Sequence, residues 1–384
     1  MEQPPEIQVK VLGDDEESPA GINSVTMIKQ SSRKVYWRWL KIALYTLSVL
    51  LGQSAALLLG RLYFLKGGNS KWLSSVVQVI GFPILIPFYL LTTTTTTTAA
   101  GGGNNQPLPS PYTLGAIYAS RGLLVGICTF LFSVGLQYLP VSTYTLLCAS
   151  VLAFNSFFSY FINGQKFTPF IVNSLVLLTI SSVLLVFNND DDNEESASSS
   201  APNRGNYVVG FLCTLAGSAL FGLLLSATQF VFVKVIKRQT FKHMMDMVIY
   251  ENVVACGVTV VGLFASGEWK ELGREMDGYE LGTASYLMTL IWVAVFWQMY
   301  ALGAMGLIFE VSALFSNSIS VVGLPIVPVA AVFCFRDRMS GVKGVSMALA
   351  IWGFVSYMYQ CYLDDRNSKV VTKSIDETSP RMSS

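Results

Sequence analysis

The sequence predicts an all-α integral membrane protein with about ten transmembrane helices, arranged as two inverted repeats of five helices. Hydrophobic residues make up 52% of the chain and charged residues only 13%, whereas soluble domains carry about 25% charged residues. Apolar stretches long enough to cross a bilayer recur along most of the chain. A repeated helix–turn–helix segment predicts that the two halves are inverted. A chain this apolar has too little polar surface to cover a water-facing globule.

The predicted spans fall into two groups of five, separated by polar turns, prolines and longer loops. Each is a stretch of about 20 mostly apolar residues, the length that crosses the hydrocarbon core as a helix. Pro140 ends the third span, because proline lacks a backbone N–H and disfavours a helical residue before it. The predicted spans are 38–60, 71–92, 112–137, 141–163, 168–187, 207–233, 243–266, 283–304, 307–335 and 342–363.

These spans divide the chain into five segments. Both tails are polar, so we expect them to be disordered, and the N-terminal tail lacks the apolar core of a signal peptide. The segments are a cytoplasmic N-terminal tail (1–35), a first five-helix repeat (36–187), an acidic, serine-rich loop (188–206), a second five-helix repeat (207–363) and a C-terminal tail (364–384).

Two segments five spans apart share a pattern. SYFINGQKFTPFIVNSLVLL (159–178) and AVFCFRDRMSGVKGVSMAL (331–349) each contain an aromatic-rich helix end, a polar turn, a basic residue and a Ser or Thr cap. An odd shift of five spans makes the two units face opposite sides of the bilayer, as in secondary transporters whose substrate site lies at the midplane. The alternative is that two unrelated helix–turn–helix units look alike.

The distribution of basic residues indicates the orientation. An even number of spans puts both termini on one side, and cytoplasmic flanks carry the excess of Lys and Arg. Basic residues cluster before the first span (Arg33, Lys34, Arg38) and between the sixth and seventh (Lys237, Arg238). Both termini are therefore predicted to be cytoplasmic.

Several classes of function are not supported by the sequence. The net charge of +1 predicts no nucleic-acid partner. His243 is the single histidine, the six cysteines form no C-x-x-C pair, and no metal-ligand spacing occurs. No glycine-rich loop lies between a strand and a helix pattern, so a nucleotide cradle is unsupported. We expect no enzyme activity and no cofactor.

Six strings of sequence resemble one family over residues 36–364. They are RLYFLKGGNSKW (61–72), QVIGFPILIPFYLL (78–91), GLQYLPVSTYTLL (135–147), LAFNSFFSYFINGQKFTPF (152–170), WVAVFWQMYALGAMGLIFEVSALFSN (292–317) and ALAIWGFVSYMYQ (348–360). The chain resembles the plant purine permease family, of the drug/metabolite transporter superfamily. The resemblance implies the drug/metabolite transporter fold, with ten helices in two inverted repeats. It also implies proton-coupled uptake of adenine, cytokinins or related nitrogenous heterocycles such as alkaloids, with the proton gradient as driving force. The plasma membrane is the expected location and the vacuolar membrane the alternative.

The chain departs from the family pattern at positions that could contact a purine. Val151 stands where relatives commonly have glutamine, and Cys128 and Thr129 stand where they carry Asp or Asn. Phe132 and Val134 replace the usual tyrosines. Groups that could bind a purine edge are therefore missing, and a more lipophilic substrate becomes credible.

Arg121 lies within the third span without an acidic neighbour in sequence. A lone guanidinium in hydrocarbon costs at least ~2.5–3.5 kcal/mol. At 1.5 Å per residue, Arg121 lies ~13 Å and Glu251 of the seventh span ~12 Å from the same side. The matching depths predict an ion pair between them. The alternative is that each charge snorkels or lines a wet vestibule separately.

Two carboxylates are candidates for proton coupling, Glu251 and Glu310. Proton coupling needs a carboxylate that can bind and release a proton, and burial raises the affinity of a carboxylate for a proton. Glu310 lies at the start of the predicted ninth span, so the alternative is that it caps a helix in the headgroup region.

A flat heterocycle requires a mostly apolar and aromatic pocket with a few placed polar groups. Trp292 and Trp297 are about 140° apart on a helix, so they cannot face one site. The edge formed by Trp297 and Gln298 is favoured, because an amide facing lipid would be unsatisfied. The candidate substrate-binding residues are Trp292, Trp297, Phe154 and Tyr144 for stacking and Gln229, Gln298, Asn155 and Asn317 for hydrogen bonding.

Three other functions compete with heterocycle transport. An exchanger of sugar nucleotides or phosphates would need several inward cations, and only Arg121 qualifies. A non-transporting receptor or scaffold would need neither an inverted repeat nor intramembrane carboxylates. An integral-membrane enzyme lacks a histidine or carboxylate cluster. The sequence leaves the oligomeric state open; its predicted partners are a small heterocyclic substrate and the lipid bilayer.

Overall fold

The computed structural model describes residues 19–87, 89–90, 110–164, 204–231, 234 and 241–310, together with scattered helical residues at 169–180, 316–327 and 341–363. The chain divides into two compact units, Met1–Leu44 and Tyr45–Ser384. In the first unit, the described residues are the beginning of one long helix. The second unit contains the helices that form the candidate site.

The described part of the chain is helical and contains no strand. Short 3₁₀ turns, Phe82–Ile84 and Glu268–Lys270, lie between helices. The α-helices are α1 (Pro19–Leu65), α2 (Lys71–Ile80), α3 (Pro111–Tyr138), α4 (Val141–Cys148), α5 (Val151–Asn163), α6 (Arg204–Phe230), α7 (Phe241–Ser266), α8 (Leu272–Asp277) and α9 (Thr283–Glu310).

Six helical segments among the described residues are long and apolar enough to cross a membrane. They are Tyr36–Leu65, Tyr112–Tyr138, Thr143–Asn163, Gly205–Phe230, Met245–Ser266 and Thr283–Ile308. These segments match six of the predicted spans, so the prediction of an all-α protein with many membrane spans is confirmed. The predicted spans 168–187, 307–335 and 342–363 lie largely outside the described residues, and the arrangement of ten helices in two repeats stays a prediction.

The predicted second span, 71–92, is not one continuous helix. α2 begins at Lys71 after the N-cap residue Ser70, whose hydroxyl accepts a hydrogen bond from the Leu73 N–H, and it ends at Ile80 with Gly81 as its C-cap. The 3₁₀ turn Phe82–Ile84 follows. Pro83 explains the break, because its ring removes a helical hydrogen bond and clashes with the preceding turn.

The predicted fourth span also contains a break, at Ala149 and Ser150. The Ser150 N–H bonds to the Leu147 carbonyl at 3.0 Å, three residues back, and its hydroxyl bonds to the same oxygen at 2.6 Å. A serine hydroxyl competes with the backbone for carbonyl groups in this way. The break separates α4 from α5.

The eighth span extends further than the sequence predicts. α9 continues past residue 304 to Glu310, so Glu310 ends this helix and does not begin the next one. Gly303 and Gly306 of this extended helix lie against Tyr45 of α1. Their lack of a side chain lets α9 run close to α1 here. A Cβ added at Gly303 would lie 2.8 Å from the Tyr45 carbonyl oxygen, and one at Gly306 would lie 2.6 Å from its ring.

α3 lies between α6 and α7, while α5 packs on α6 and α2 packs on α7, α3 and α9. Hydrophobic residues at the interfaces of α1, α3 and α4 form a core that includes Leu57, Leu136, Leu139, Tyr144 and Leu147. The broken helices α2 and α4–α5 therefore lie beside continuous ones, and their interruptions face the interior.

The loops at one end of the bundle are held by a group of hydrogen bonds, here called the loop cluster. Glu275 accepts hydrogen bonds from the hydroxyls of Tyr63 and Tyr286, the latter at 3.0 Å, and from the Ser70 N–H at 3.1 Å. Glu268 accepts one from the Ser70 hydroxyl at 2.7 Å. The loop cluster thus joins the 66–70 loop to the 267–282 loop.

An exposed ion pair lies beside the loop cluster. Lys66 Nζ is 2.8 Å from Glu280 Oε2, and this hydrogen bond raises the pKa of Lys66 above its ordinary value. In the predicted orientation both loops lie on the non-cytoplasmic side of the membrane.

Candidate functional site

A cavity of about 250 Å³ lies among the helices of the second unit. It is bounded by side chains from eight helices, α1 to α7 and α9, and by Ser320. Its lining residues are Gln53, Leu57, Gln78, Val79, Val125, Cys128, Thr129, Phe132, Tyr144, Cys148, Val151, Leu152, Phe221, Leu225, Asn252, Trp297, Gln298, Tyr300, Ala301 and Ser320. These residues come from spans that the sequence assigns to both halves of the chain.

Aromatic rings make up two parts of the cavity wall. Phe132 packs edge-to-face on Tyr144 at 6.3 Å and on Phe221 at 6.2 Å. Trp297 packs edge-to-face on Tyr300 at 5.7 Å. Such pairs keep the rings in fixed orientations. The cavity wall therefore contains two groups of packed aromatic rings.

Most polar groups of the lining are amides and hydroxyls, and the described lining residues include no Asp, Glu, Lys or Arg. The Gln78 side-chain amide donates to the Ser133 hydroxyl at 3.0 Å. By contrast, the side-chain oxygens of Gln53 and Gln298 are buried and have no hydrogen-bond partner among the described residues. A buried acceptor left in this state costs free energy unless a ligand or water satisfies it.

Close helix contacts place these two amides. A Cβ added at Gly52 of α1 would lie 2.8 Å from the Phe296 carbonyl oxygen and the Tyr300 N–H nitrogen of α9, so only glycine allows the two backbones to meet here. Gln53 follows Gly52, and Gln298 lies between the two α9 residues that Gly52 contacts. The two glutamines are consequently at the same level of adjacent helices.

The break after α2 makes room for Gln298. A Cβ added at Gly81 would lie 2.7 Å from Gln298 Cγ and 2.8 Å from the Ala294 carbonyl oxygen. The glycine that ends α2 therefore lets that end of the helix pack directly on the Gln298 side chain, which is only 2% exposed.

Arg121 and Glu251 are brought together by α3 and α7. Arg121 Nη2 lies 2.7 Å and Nε lies 3.0 Å from Glu251 Oε2. Arg121 Nη1 donates to the hydroxyl of Thr228 and, at 3.5 Å, to the carbonyl of Leu224, both on α6. Gly122 allows this contact, because an added Cβ there would lie 2.7 Å from the Glu251 carbonyl oxygen.

The charge pair adjoins the cavity. Val125, one helical turn after Arg121, and Asn252, next to Glu251, both line the cavity. Leu225, next to the Leu224 that contacts Arg121, lines it as well. One turn of helix is about 5.4 Å. The ion pair therefore lies directly behind the cavity wall.

Three of the predicted substrate-binding residues line the cavity, namely Tyr144, Trp297 and Gln298. Trp292 does not: it is 50% exposed, as its position on the opposite face of α9 requires. Gln229 is exposed near the end of α6, where it accepts a hydrogen bond from Asn163 at 3.4 Å.

Two further predicted residues, Phe154 and Asn155, lie away from the cavity lining, and a third cannot be placed. Phe154 and Asn155 pack against Gly222 of α6, and Asn317 lies outside the described residues. Glu310, at the end of α9, is partly buried and does not line the cavity.

Sequence reasoning missed the lining residues Gln53, Gln78 and Asn252. Each is an amide within an apolar span, and the reason given for Gln298, that an amide facing lipid would be unsatisfied, applies equally to them. Most of the positions at which the chain departs from the family pattern line the cavity. They are Cys128, Thr129, Phe132 and Val151.

Comparison with known proteins gives the family. A family model described as purine nucleobase transmembrane transport matches residues 40–367. The Arabidopsis thaliana protein named "Probable purine permease 10" is 52% identical over 369 residues, which cover 95% of this chain and 93% of the relative. "Purine permease 21" from the same plant has the same identity and coverage. The chain belongs to the purine permease family. The resemblance found in the sequence is thereby confirmed.

Membership of the purine permease family settles the class of function. The family consists of membrane transporters, so this purine permease is a multi-pass membrane transport protein and not an enzyme. Its six described membrane-length helices agree with this class. Within the part of the chain that the structure describes, no group of His, Cys, Asp or Glu could hold a metal ion.

Proposed function

We propose that this purine permease carries a neutral, planar purine-type heterocycle, such as adenine or a cytokinin, across the membrane, and that the cavity is its binding site. The observation that carries the proposal is the lining itself, whose described residues combine aromatic rings and amides and include no charged side chain. Amides can donate to and accept from a purine edge. The family description and the names of the relatives support the same substrate class.

The size of the cavity suits a small ring system. A volume of about 250 Å³ exceeds the roughly 150 Å³ of an engineered cavity that binds benzene. It lies just below the ~300–1,000 Å³ of typical ligand pockets. A two-ring heterocycle therefore fits the cavity.

The charges near the cavity argue against phosphate-bearing substrates. No Lys or Arg is present among the described residues of the lining, and the Arg121 guanidinium is bonded to Glu251, Thr228 and Leu224. An exchanger of sugar nucleotides would need free cations facing the ligand. The neutral substrate is therefore favoured.

Proton coupling is part of the proposal, with Glu251 and Glu310 as candidates. Glu251 is buried beside the cavity and bonded to Arg121. Protonation of Glu251 would remove its charge, weaken the bond to Arg121 and change the wall next to Asn252. Glu310 is farther from the cavity, at the end of α9.

A second candidate substrate class is a more lipophilic heterocycle such as an alkaloid. Cys128, Phe132 and Val151 supply apolar surface at positions where the resemblance predicts polar groups. A non-transporting receptor remains the alternative outside transport, and uptake measurements distinguish it.

The proposed location is the plasma membrane with both termini cytoplasmic, and the vacuolar membrane is the alternative. Fluorescent tags at either terminus, combined with protease protection of intact cells, test both the compartment and the orientation.

The test of function is uptake by yeast cells that lack their own purine uptake. Cells expressing the chain are given labelled adenine, a cytokinin or an alkaloid at acidic and at neutral external pH. We expect adenine or cytokinin uptake above the empty-vector level, higher at acidic pH and abolished by a protonophore. If tagged protein reaches the cell surface and none of the three compounds accumulates, the proposed transport function is wrong.

A further inference from the structure

We propose that Gln53 and Gln298 together select substrates that carry two N–H donors, each donor bonding to one glutamine side-chain oxygen. The inference rests on the proposed function, because it assigns a recognition role within the same cavity. It adds the hydrogen-bonding chemistry that a substrate must present.

The first support is that both acceptors are buried and unused. Neither the Gln53 nor the Gln298 side-chain oxygen has a partner among the described residues, and Gln298 is only 2% exposed. Native proteins rarely leave buried acceptors unsatisfied, so such atoms point to a missing partner. Both residues belong to the cavity wall, so a small turn of either side chain would present its oxygen to a ligand.

The second support is that both amides are held in place. Gly81 packs directly on the Gln298 side chain. A Cβ added at Gly323 would lie 2.9 Å from the Gln53 side-chain oxygen, so that oxygen is confined as well. Since Gly52 fixes α1 against α9, the two acceptors belong to one rigid wall.

The third support is the contrast with Gln78, the other glutamine of the lining. Its side-chain amide is engaged with the Ser133 hydroxyl at 3.0 Å and the Ser74 carbonyl at 3.3 Å. The Gln78 amino group therefore donates within the protein, whereas the Gln53 and Gln298 side-chain oxygens accept no hydrogen bond from the described residues.

The need for two N–H donors distinguishes one purine from another. Adenine carries an exocyclic amino group and a ring N–H, and a fully N-methylated purine carries no N–H donor. A site built to hydrogen-bond N–H groups rejects analogues that lack them, because its buried acceptors then stay unpaired. Adenine-type substrates are therefore favoured over N-methylated ones of equal size.

The test compares two isomers on the purified full chain in detergent. N6-isopropyladenine keeps two N–H groups, and N6,N6,9-trimethyladenine has the same atoms but no N–H donor. Binding is measured from the ligand-induced rise in melting temperature over a concentration series. We expect the isopropyl isomer to bind at least about tenfold more tightly, since two hydrogen bonds are lost in the other.

Variants assign the effect to the two residues. Gln53→Leu and Gln298→Leu keep similar side-chain volume and remove the acceptor, so each should bring the affinity ratio of the isomers toward one. Ser54→Ala and Met299→Leu are matched controls on the same helices, outside the lining, and should keep the ratio. Because an unpaired acceptor is removed, neither Leu variant should melt lower than the wild type without ligand.

The outcomes separate the inference from the proposed function. Equal binding of the two isomers to the wild type, or no binding of either, overturns the inference. A ratio unchanged in both Leu variants also overturns it, and if one variant does not fold the other is decisive. Donor-dependent binding without uptake in yeast would count against transport alone.

Discussion

Arg121 of α3 and Glu251 of α7 form a buried ion pair, with Arg121 Nη2 2.7 Å from Glu251 Oε2 and side chains only 8% and 12% exposed. Thr228 and the Leu224 carbonyl accept from the remaining guanidinium nitrogen. The pair removes two isolated charges from hydrocarbon, each of which would otherwise be costly. It also links three helices beside the cavity.

Removing one partner of this pair should destabilise the protein. Arg121→Leu leaves the Glu251 carboxylate buried and unpaired, which typically costs about 3–5 kcal/mol. The double variant Arg121→Leu/Glu251→Leu removes both charges and should recover much of that loss. Melting temperatures of the purified proteins measure this; a double variant no more stable than Arg121→Leu would contradict the pairing.

The pH dependence of uptake should depend on Glu251. Glu251→Gln keeps the size of the side chain but cannot gain or lose the coupling proton, so uptake should become insensitive to external pH. Glu310→Gln, at the end of α9 and away from the lining, should affect it less. The measurement is initial uptake across a pH series in yeast, normalised to surface protein. Unchanged pH dependence in both single variants and in the double variant would eliminate both carboxylates.

The contact between α1 and α9 should not tolerate a methyl group at Gly52. An added Cβ would lie 2.8 Å from two backbone atoms of α9, so Gly52→Ala should lower the melting temperature and separate the cavity walls. Gly257→Ala on α7 is the control, because no atom lies within 4 Å of its added Cβ. Alanine favours a helix over glycine by about 1 kcal/mol, so the control should be neutral or stabilising. Equal melting of the two variants would contradict the close packing.

The loop cluster should depend on Glu275. Glu275→Ala leaves the Ser70 N–H and the hydroxyls of Tyr63 and Tyr286 without their acceptor, and an unsatisfied buried donor costs about 1–3 kcal/mol. We expect a lower melting temperature and faster proteolysis of the 267–282 loop. Glu280→Ala, which breaks only the exposed pair with Lys66, is the matched control. Equal proteolysis of the two variants would argue against the cluster.

The parts of the structure that follow from helical periodicity could be predicted from the sequence. Six described membrane helices match predicted spans, because apolar length alone identifies them. The equal depths of Arg121 and Glu251 follow from a constant rise per residue. The same geometry separates Trp297, which lines the cavity, from Trp292, which does not.

The rest depends on tertiary contacts that periodicity does not encode. The breaks at Gly81 and Ser150 interrupt apolar stretches that read as continuous. Gln78 donates to Ser133 because α2 packs on α3, a contact that the sequence pattern of α2 does not reveal. α9 continues to Glu310 because its glycines pack on Tyr45, a contact between residues far apart in sequence.

Photoaffinity labelling tests the central claim, that the cavity holds the substrate, most directly. The full chain in membranes is irradiated with radiolabelled 2-azidoadenine, and the modified residues are mapped by mass spectrometry. We predict labels on lining residues such as Phe132, Tyr144 and Trp297, suppressed by excess adenine. Labels confined to residues outside the lining, such as Trp292, or labels that excess adenine does not suppress, would contradict the account.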